Sequence, residues 1–489
     1  MTADFYELLG IPFNATQEEI RSAYFQLVRR LHPDVNPDPD MRETFLQIQE
    51  AYETLSNPPR RSTYDDSLPA ELKFTPAISV STRYSQSVLS TLDEPQLVYA
   101  LIDLVCTADL SKEHLPASHF CMVLDKSTSM QGQRMDMVKS SSLNLLQQLR
   151  SQDILSVIAF SDRAEVLIPP TRASALSKSD HRISLLQTGG GTEILQGLML
   201  GVNQLRQTSN QHIRQLILLT DGHTYGDEEG CIELAKEAAE EGISISVLGI
   251  GDEWNDVLMD RIAALSGGNT MYIATPHDLE NFLLVKLSEM EGVYGRGLKF
   301  VYQSDLDVRL RYAFRLSPNI GHLETENPIQ LGDIQHRKTI SFLLEFVVPP
   351  LYEEKDRLTL ASGKIMVNIP GQKVFKSRLL LDLRCPVRRH VEPESPPAVI
   401  VEAMSKLTLY RLQEKVRKEV SEGQVEKATR HMHYLATHLL SQGDRELAHT
   451  VLMEAEHVQQ SRRFSGEGEK RIKYGTRALM LPQGPELRP

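Results

Sequence analysis

Cysteine is scarce in this chain. The four residues, Cys106, Cys121, Cys231 and Cys385, lie far apart and form no CxxC pair, so neither a thiolate zinc site nor a disulfide framework is expected, and they read as reduced thiols. No run of about 18 apolar residues occurs, which argues against a membrane span. The amino terminus, MTADFYELLG, has no positive region followed by an apolar core; export is not indicated and a cytoplasmic location is expected. A basic excess is missing too. The 53 Lys and Arg against 65 Asp and Glu leave a net charge of -12, which offers no electrostatic footprint for nucleic acid. The one tryptophan, Trp254, follows a strand-like run and reads as packing or rim rather than a ligand platform.

What is present suits a soluble chain of several domains. The 489 residues are 41% hydrophobic and 24% charged, and at about 150 residues per domain that length predicts about three or four units. Between Gln17 and Leu31 the residues Ile20, Ala23, Tyr24, Leu27, Val28 and Leu31 recur at helical spacing, the mark of one buried stripe. Thr16 and Glu19 fit a capping box. The spacing returns in Phe45, Ile48, Ala51, Tyr52 and Leu55 after a loop rich in Pro and Asp that begins His32-Pro33-Asp34, so the two helices are expected to pair as a hairpin.

With DFYELLGI before it and FLQIQEAYETLSNPPRRSTYDD after it, this pattern resembles the J-domain of Hsp70 co-chaperones over residues 2–66. The resemblance implies a partner, an Hsp70-type chaperone, whose ATP hydrolysis the domain stimulates. It maps the indispensable loop onto His32, Pro33 and Asp34, and the basic docking face onto Arg21, Arg29 and Arg30, a thinner face than the family usually shows. The bland alternative is a helical interaction module in which the tripeptide is only a turn.

From His119 to Leu287 strand-like runs alternate with helix-like segments: FCMVLD, MDMVKSSSLNLLQQLR, ILSVIAF, GLMLGVNQLRQ, RQLILLTD, CIELAKEAAEEG, ISISVLGIG and DVLMDRIAALSGG. That alternation predicts a doubly wound, mostly parallel sheet, which binds ligands outside the carboxyl ends of its strands. Three polar loops fall at such places: Asp125 to Ser129, Thr188 to Glu193, and Thr220 to Gly222. The run Phe120 to Leu124 ending in a carboxylate and two alternate hydroxyls suits a small divalent cation, which prefers hard oxygen ligands. TGGGTE is not followed by the Lys-Ser or Lys-Thr of a phosphate loop.

The constellation resembles the von Willebrand factor A (VWA) domain and its metal-ion-dependent adhesion site, over roughly residues 117–292. The resemblance implies Mg2+, or Mn2+ or Ca2+ in its place, held by Asp125, Ser127, Ser129, Thr192 and Asp221, with an open position for a carboxylate of a protein ligand. Thr128 stands where many members have Gly. His223, Asp227 and Glu228 lie near enough to touch a ligand, though solvated loop is the plainer reading. Helix capping by the five residues is the structural alternative.

Residues 297–385 alternate with period two, as in Val308, Leu310, Tyr312 and Phe314, which predicts an antiparallel sandwich. Leu97 to Val105 suits one long strand that joins it, making the α/β domain an insertion. After Pro396, helical stripes break at Gly423 and Gly443. The expected fold is therefore multidomain: an all-α J-domain (1–67), a linker (68–77), sandwich strands (78–116), a doubly wound, Rossmann-like α/β VWA domain (117–292), the remaining antiparallel β-sandwich (293–390), an α-helical segment (396–460) and a flexible tail (461–489). The expected function is a non-enzymatic adaptor that captures a protein ligand through Mg2+ and couples it to Hsp70. The rivals are a metal-dependent phosphoester hydrolase and a scaffold whose metal is structural.

Overall fold

A computed structural model of the chain describes residues 5–9, 11, 13, 15–31, 39–68, 76–108, 116–176, 181–209, 212–224, 226–305, 307–370, 377–392, 394–441 and 443–479. Its first unit is helical: α1 (Phe5–Leu9), α2 (Gln17–Leu31), α3 (Pro39–Leu55) and α4 (Pro58–Ser67). Thr16 and Glu19 form the reciprocal cap at the start of α2. The stripes of α2 and α3 meet where Tyr24 stacks on Tyr52, ring centres 3.9 Å apart, above a core of Tyr6, Leu9, Ile20, Ile48, Ala51 and Leu55. Leu68 also belongs to that core, and its amide bonds to Tyr64 and Asp65. At the far side, the Ala77 amide already donates to the Tyr294 hydroxyl at 2.8 Å. The tie between the units is thus shorter than a linker of 68–77, and residues 69–75 lie outside the described residues.

The chain then lays down β1 (Ile78–Tyr84), β2 (Leu89–Ser90) and β3 (Gln96–Cys106), and departs into an α/β unit: β4 (Ser118–Asp125), α5 (Gln133–Gln148), β5 (Ile154–Phe160), β6 (Ala164–Arg172), α6 (His181–Ser184), α7 (Ile194–Arg206), β7 (Ile213–Thr220), α8 (Glu228–Glu240), β8 (Ile243–Ile250), α9 (Asp256–Ser266), β9 (Thr270–Ile273) and α10 (Pro276–Glu291). The sheet order is β6-β5-β4-β7-β8-β9, antiparallel only at the β5–β6 edge. β4, β7 and β8 are buried along their whole length, as strands covered on both faces must be. Gly197 and Gly201 let α7 close on the sheet; a Cβ at either would stand within 3 Å of the Val123 side chain. Because these strands are parallel, the loops after β4, β7 and β8 leave from one edge.

The chain returns through β10 (Val293–Gln303), β11 (Arg309–Ser317), β12 (Gly321–Leu323), β13 (Ile329–Gln335), β14 (Thr339–Val348), β15 (Lys355–Asn368) and β16 (Ser377–Arg388). They complete a sandwich of two five-stranded sheets, β1-β3-β14-β11-β12 and β13-β10-β15-β16-β2. β3 pairs with β14 over its whole length, Leu101 opposite Leu343, so strands from before and after the α/β unit share one sheet. All four cysteines are free and buried.

The carboxyl-terminal unit is α11 (Ala398–Ser421), α12 (Val425–Ser441), α13 (Arg445–Ser461) and α14 (Gly466–Leu479). The turns after α11 and α12 are held by Gly423 and Gly443 at φ of 74° and 89°, a region glycine enters freely. α14 corrects the expectation of a flexible tail from 461. Its segment carries few apolar residues, but Ile472, Lys473, Tyr474 and Thr476 are buried. The helix is held by ion pairs, Lys473 with Asp256 and Asp260 and Arg477 with Asp260; its composition, with Gly466, Gly468 and Gly475 among charged residues, read as tail although its pattern is amphipathic. Residues 480–489 lie outside the described residues.

Candidate functional site

Asp125 is the last residue of β4 and is wholly buried. Its carboxylate accepts from the Ser127 amide at 2.8 Å and from the Thr220 hydroxyl at 2.6 Å. The chain turns through a short 3-10 segment, Thr128–Met130, that puts the hydroxyls of Ser127 and Ser129 3.0 Å apart. Ser129 donates to Oδ1 of Asp221 at 2.7 Å, and Asp221, just past β7, is buried as completely as Asp125. Four of the five expected ligands therefore form one bonded chain across two loops. Thr192 meets the third loop at Gly222, where a Cβ would stand 3.1 Å from its hydroxyl.

The loop carrying Thr192 is tied to the loop of Ser127 and Ser129. Thr128 donates both its amide and its hydroxyl to the Gly190 carbonyl, each at 3.1 Å, and the Gly189 amide donates to the Lys126 carbonyl at 2.7 Å. Thr128, the departure from the family pattern, thus works as a strap between loops.

Burial raises the Asp125 carboxyl above its ordinary value; the bonds from Thr220 and Ser127 pull it down, and the nearby charge of Asp221 pushes it up again. Two buried carboxylates and hydroxyl oxygens converging from three loops are hard donors, and a small divalent cation would relieve their mutual repulsion, so the residues present fit one. Among the described residues there is no cluster of three or more His, Cys, Asp or Glu side chains placed to hold a metal ion; this donor set relies on hydroxyls instead.

Two neighbours escaped the sequence reading. Thr220 sat one residue before an expected ligand and holds another. Arg134 donates to Oδ2 of Asp221 from the first turn of α5, and a cation there opposes the helix dipole, a signal that it answers to a specific anion. Of the three flanking residues, Asp227 takes bonds from the Thr224 hydroxyl and, at 3.0 Å, from the Leu195 amide at the start of α7, and Glu228 takes the Gly226 amide at 3.0 Å. Both are occupied in holding the chain. His223 is exposed.

Comparison with known proteins assigns the units. Family models match the DnaJ domain at residues 4–65 and the von Willebrand factor type A domain at 121–284. The chain joins a DnaJ domain to a VWA domain. A third model, the Sll0103-like C-terminal alpha-helical domain, matches 398–482. The uncharacterized protein sll0103 of Synechocystis is 27% identical over 63% of this chain and 74% of its own length. Chaperone protein DnaJ of Dictyoglomus thermophilum is 58% identical over 13% of this chain, which spans 16% of that protein, so the likeness is to its DnaJ domain. Two solved structures share the fold: a von Willebrand factor type A protein from Catenulispora acidiphila, with TM-score 0.67 and 15% identity over 82% of this chain and 96% of that one, and the ArnB paralog VWA2 from Sulfolobus acidocaldarius, with TM-score 0.55 and 16% identity over 83% and 100%.

In the DnaJ domain, Arg21 is exposed, with its guanidinium 5.8 Å from the Phe25 ring centre. His32, Pro33, Asp34 and the side chains of Arg29 and Arg30 lie outside the described residues. Among the described residues no helix is long and apolar enough to cross a membrane.

Proposed function

We propose that the protein is a co-chaperone adaptor without catalytic chemistry of its own, working in the cytoplasm. Its VWA domain holds a protein ligand at a Mg2+ site made by Asp125, Ser127, Ser129, Thr192 and Asp221, while its DnaJ domain engages an Hsp70 through His32, Pro33 and Asp34, with Arg21, Arg29 and Arg30 as docking face. The supporting observation is the convergence of two buried carboxylates and their serine hydroxyls on the open edge of the VWA sheet, in a chain that also carries a DnaJ domain. A bound Mg2+ would supply an open coordination position for a carboxylate of the ligand. The chain's own residues do the rest: Thr220 and the Ser127 amide orient Asp125, Ser129 orients Asp221, and Thr128 keeps the Thr192 loop in register with them.

The test compares proteins retained from a native lysate by the full chain in Mg2+, by the same chain in EDTA, and by Asp125→Ala in Mg2+. A specific partner retained only in the first condition is expected; the same retention in all three rejects metal-mediated capture. Phosphoester turnover that disappears in Asp125→Ala would instead establish the hydrolase.

A further inference from the structure

Arg134 stands between the candidate metal site and the carboxyl-terminal helices. Its guanidinium, a third exposed, pairs with the fully buried carboxylate of Asp221 and reaches the Ser129 carbonyl at 3.4 Å. On its other side lies Gly251, at φ 69°, where a Cβ would come within 2.8 Å of Nη2 of Arg134. The turn that carries Gly251 is fastened from α14. Lys470, only 5% exposed, donates to the carbonyls of Asp252 at 2.5 Å and Trp254 at 2.7 Å, and its ammonium lies 4.4 Å from the centre of the Trp254 ring. Trp254 in turn donates from Nε1 to the Gly251 carbonyl at 2.9 Å, and its ring packs against Gly249, where any Cβ would collide. Gly466 closes against the Asp252 side chain, with room for no Cβ. Lys473 and Arg417 grip Asp256, the first residue of the helix that follows the turn. The contacts therefore run without a gap from α14 through the 251–254 turn to Arg134, Asp221 and Ser129.

We propose that Arg134 is a resident counter-ion of the VWA site, seated on Asp221 by the carboxyl-terminal helical domain through Lys470 and the Gly251 turn, and that it sets how tightly a divalent cation is held. This rests on the metal reading above. An entering cation has to share Asp221 with a guanidinium already in place, and like charges at a buried carboxylate oppose one another. Removing the Arg134 charge leaves Asp221 wholly to the metal. Loosening the turn lets the guanidinium swing toward solvent, which acts in the same direction but less. Lys470 is accordingly a positioning residue, acting through Trp254 and Gly251. Linkage makes the effect reciprocal, so cation occupancy weakens the docking of α14.

The test is a calorimetric titration of MgCl2 into the full-length protein and into Arg134→Met, Lys470→Met, Lys470→Arg, the Arg134→Met/Lys470→Met double variant and Asp125→Ala. Arg134→Met is expected to bind Mg2+ at least about five-fold more tightly than wild type. Lys470→Met is expected to tighten by a smaller factor, Lys470→Arg to keep the wild-type value, and the double variant to match Arg134→Met alone, because the two act on one path. Unchanged or weaker binding in Arg134→Met overturns the counter-ion. Wild-type affinity in a Lys470→Met protein that is folded at the temperature of the titration overturns the role of α14, whether or not that variant melts early. Binding that survives Asp125→Ala, or is missing from every protein, places the failure in the metal reading itself.

Discussion

At the scale of single residues, the site is built by partners more than by the ligands alone. Asp125 and Asp221 could both be read from the sequence because each ends an apolar run, and strand ends of a parallel sheet meet at one edge. Thr220, Arg134 and the Gly190 carbonyl could not, since their roles depend on which loops touch. Thr128 makes the point. It departs from the family pattern, and its meaning emerges only with the Gly190 carbonyl beside it. Thr128→Ala keeps the amide bond and loses the hydroxyl bond, so about 0.5–1 kcal/mol of stability is expected to go at this exposed position, measured by chemical denaturation; no loss would show that the strap is idle.

His119 offers a second residue-scale test. Burial, and then the charges of His212 and Arg214, push its ring down from 6.5 to about 3, while its nitrogens lie 2.6 Å from the Ser156 hydroxyl and 3.0 Å from that of Thr208. The unfolded chain takes up this proton below its ordinary value and the folded chain does not until about pH 3. Stability is therefore lost as the pH falls through that window, by up to about 1.4 kcal/mol per pH unit. Urea midpoints at pH 7 and pH 5 should differ for wild type and differ less for His119→Gln; equal slopes would contradict the assignment.

At the scale of elements, what apolar burial holds was read more readily than what charge holds. The stripes of α2, α3, α11, α12 and α13 and the alternation in β11 and β14 were all legible. α14 was not, because its glycines among charged residues read as tail; its buried face carries Lys473 and Arg477 against Asp256 and Asp260. Burial alone would raise the Asp260 carboxyl, but Arg477 and Lys473 pull it well below the usual carboxylate range. Without Lys473 the two carboxylates keep Arg417 and Arg477, so what is lost is its charge-assisted hydrogen bonding, at a cost of about 1.5–3 kcal/mol. Lys473→Met is expected to destabilise the protein by an amount of that order in a denaturant melt, and to expose Arg471 and Arg477 to trypsin. A variant as stable and as resistant as wild type would mean that α14 is held by its apolar contacts alone.

At the scale of the whole molecule, domain order was legible from motifs with fixed spacing, HPD between two helices and DxSxS after a strand. The closure of the sandwich was legible in part: the long strand before the α/β unit was expected to join strands beyond it, and it pairs with β14 on one edge while β1, close by in the sequence, takes the other. What the sequence hid is the docking of the last helix onto the rim of the VWA domain, a contact between residues more than 200 positions apart, as in Lys470 with Trp254. The VWA domain thereby meets both the sandwich and α14 through α9, which touches β12 and β13 and carries the Asp256 and Asp260 that pair with α14.

The adaptor account stands or falls on whether the DnaJ domain of this chain drives an Hsp70. The most direct measurement is steady-state ATP turnover by an Hsp70 of the same cell, with the full-length protein added as wild type or as His32→Gln at matched concentration. Turnover that rises several-fold with wild type and stays at the basal rate with His32→Gln is the expected result. No rise with wild type, or an equal rise with both, would contradict the account.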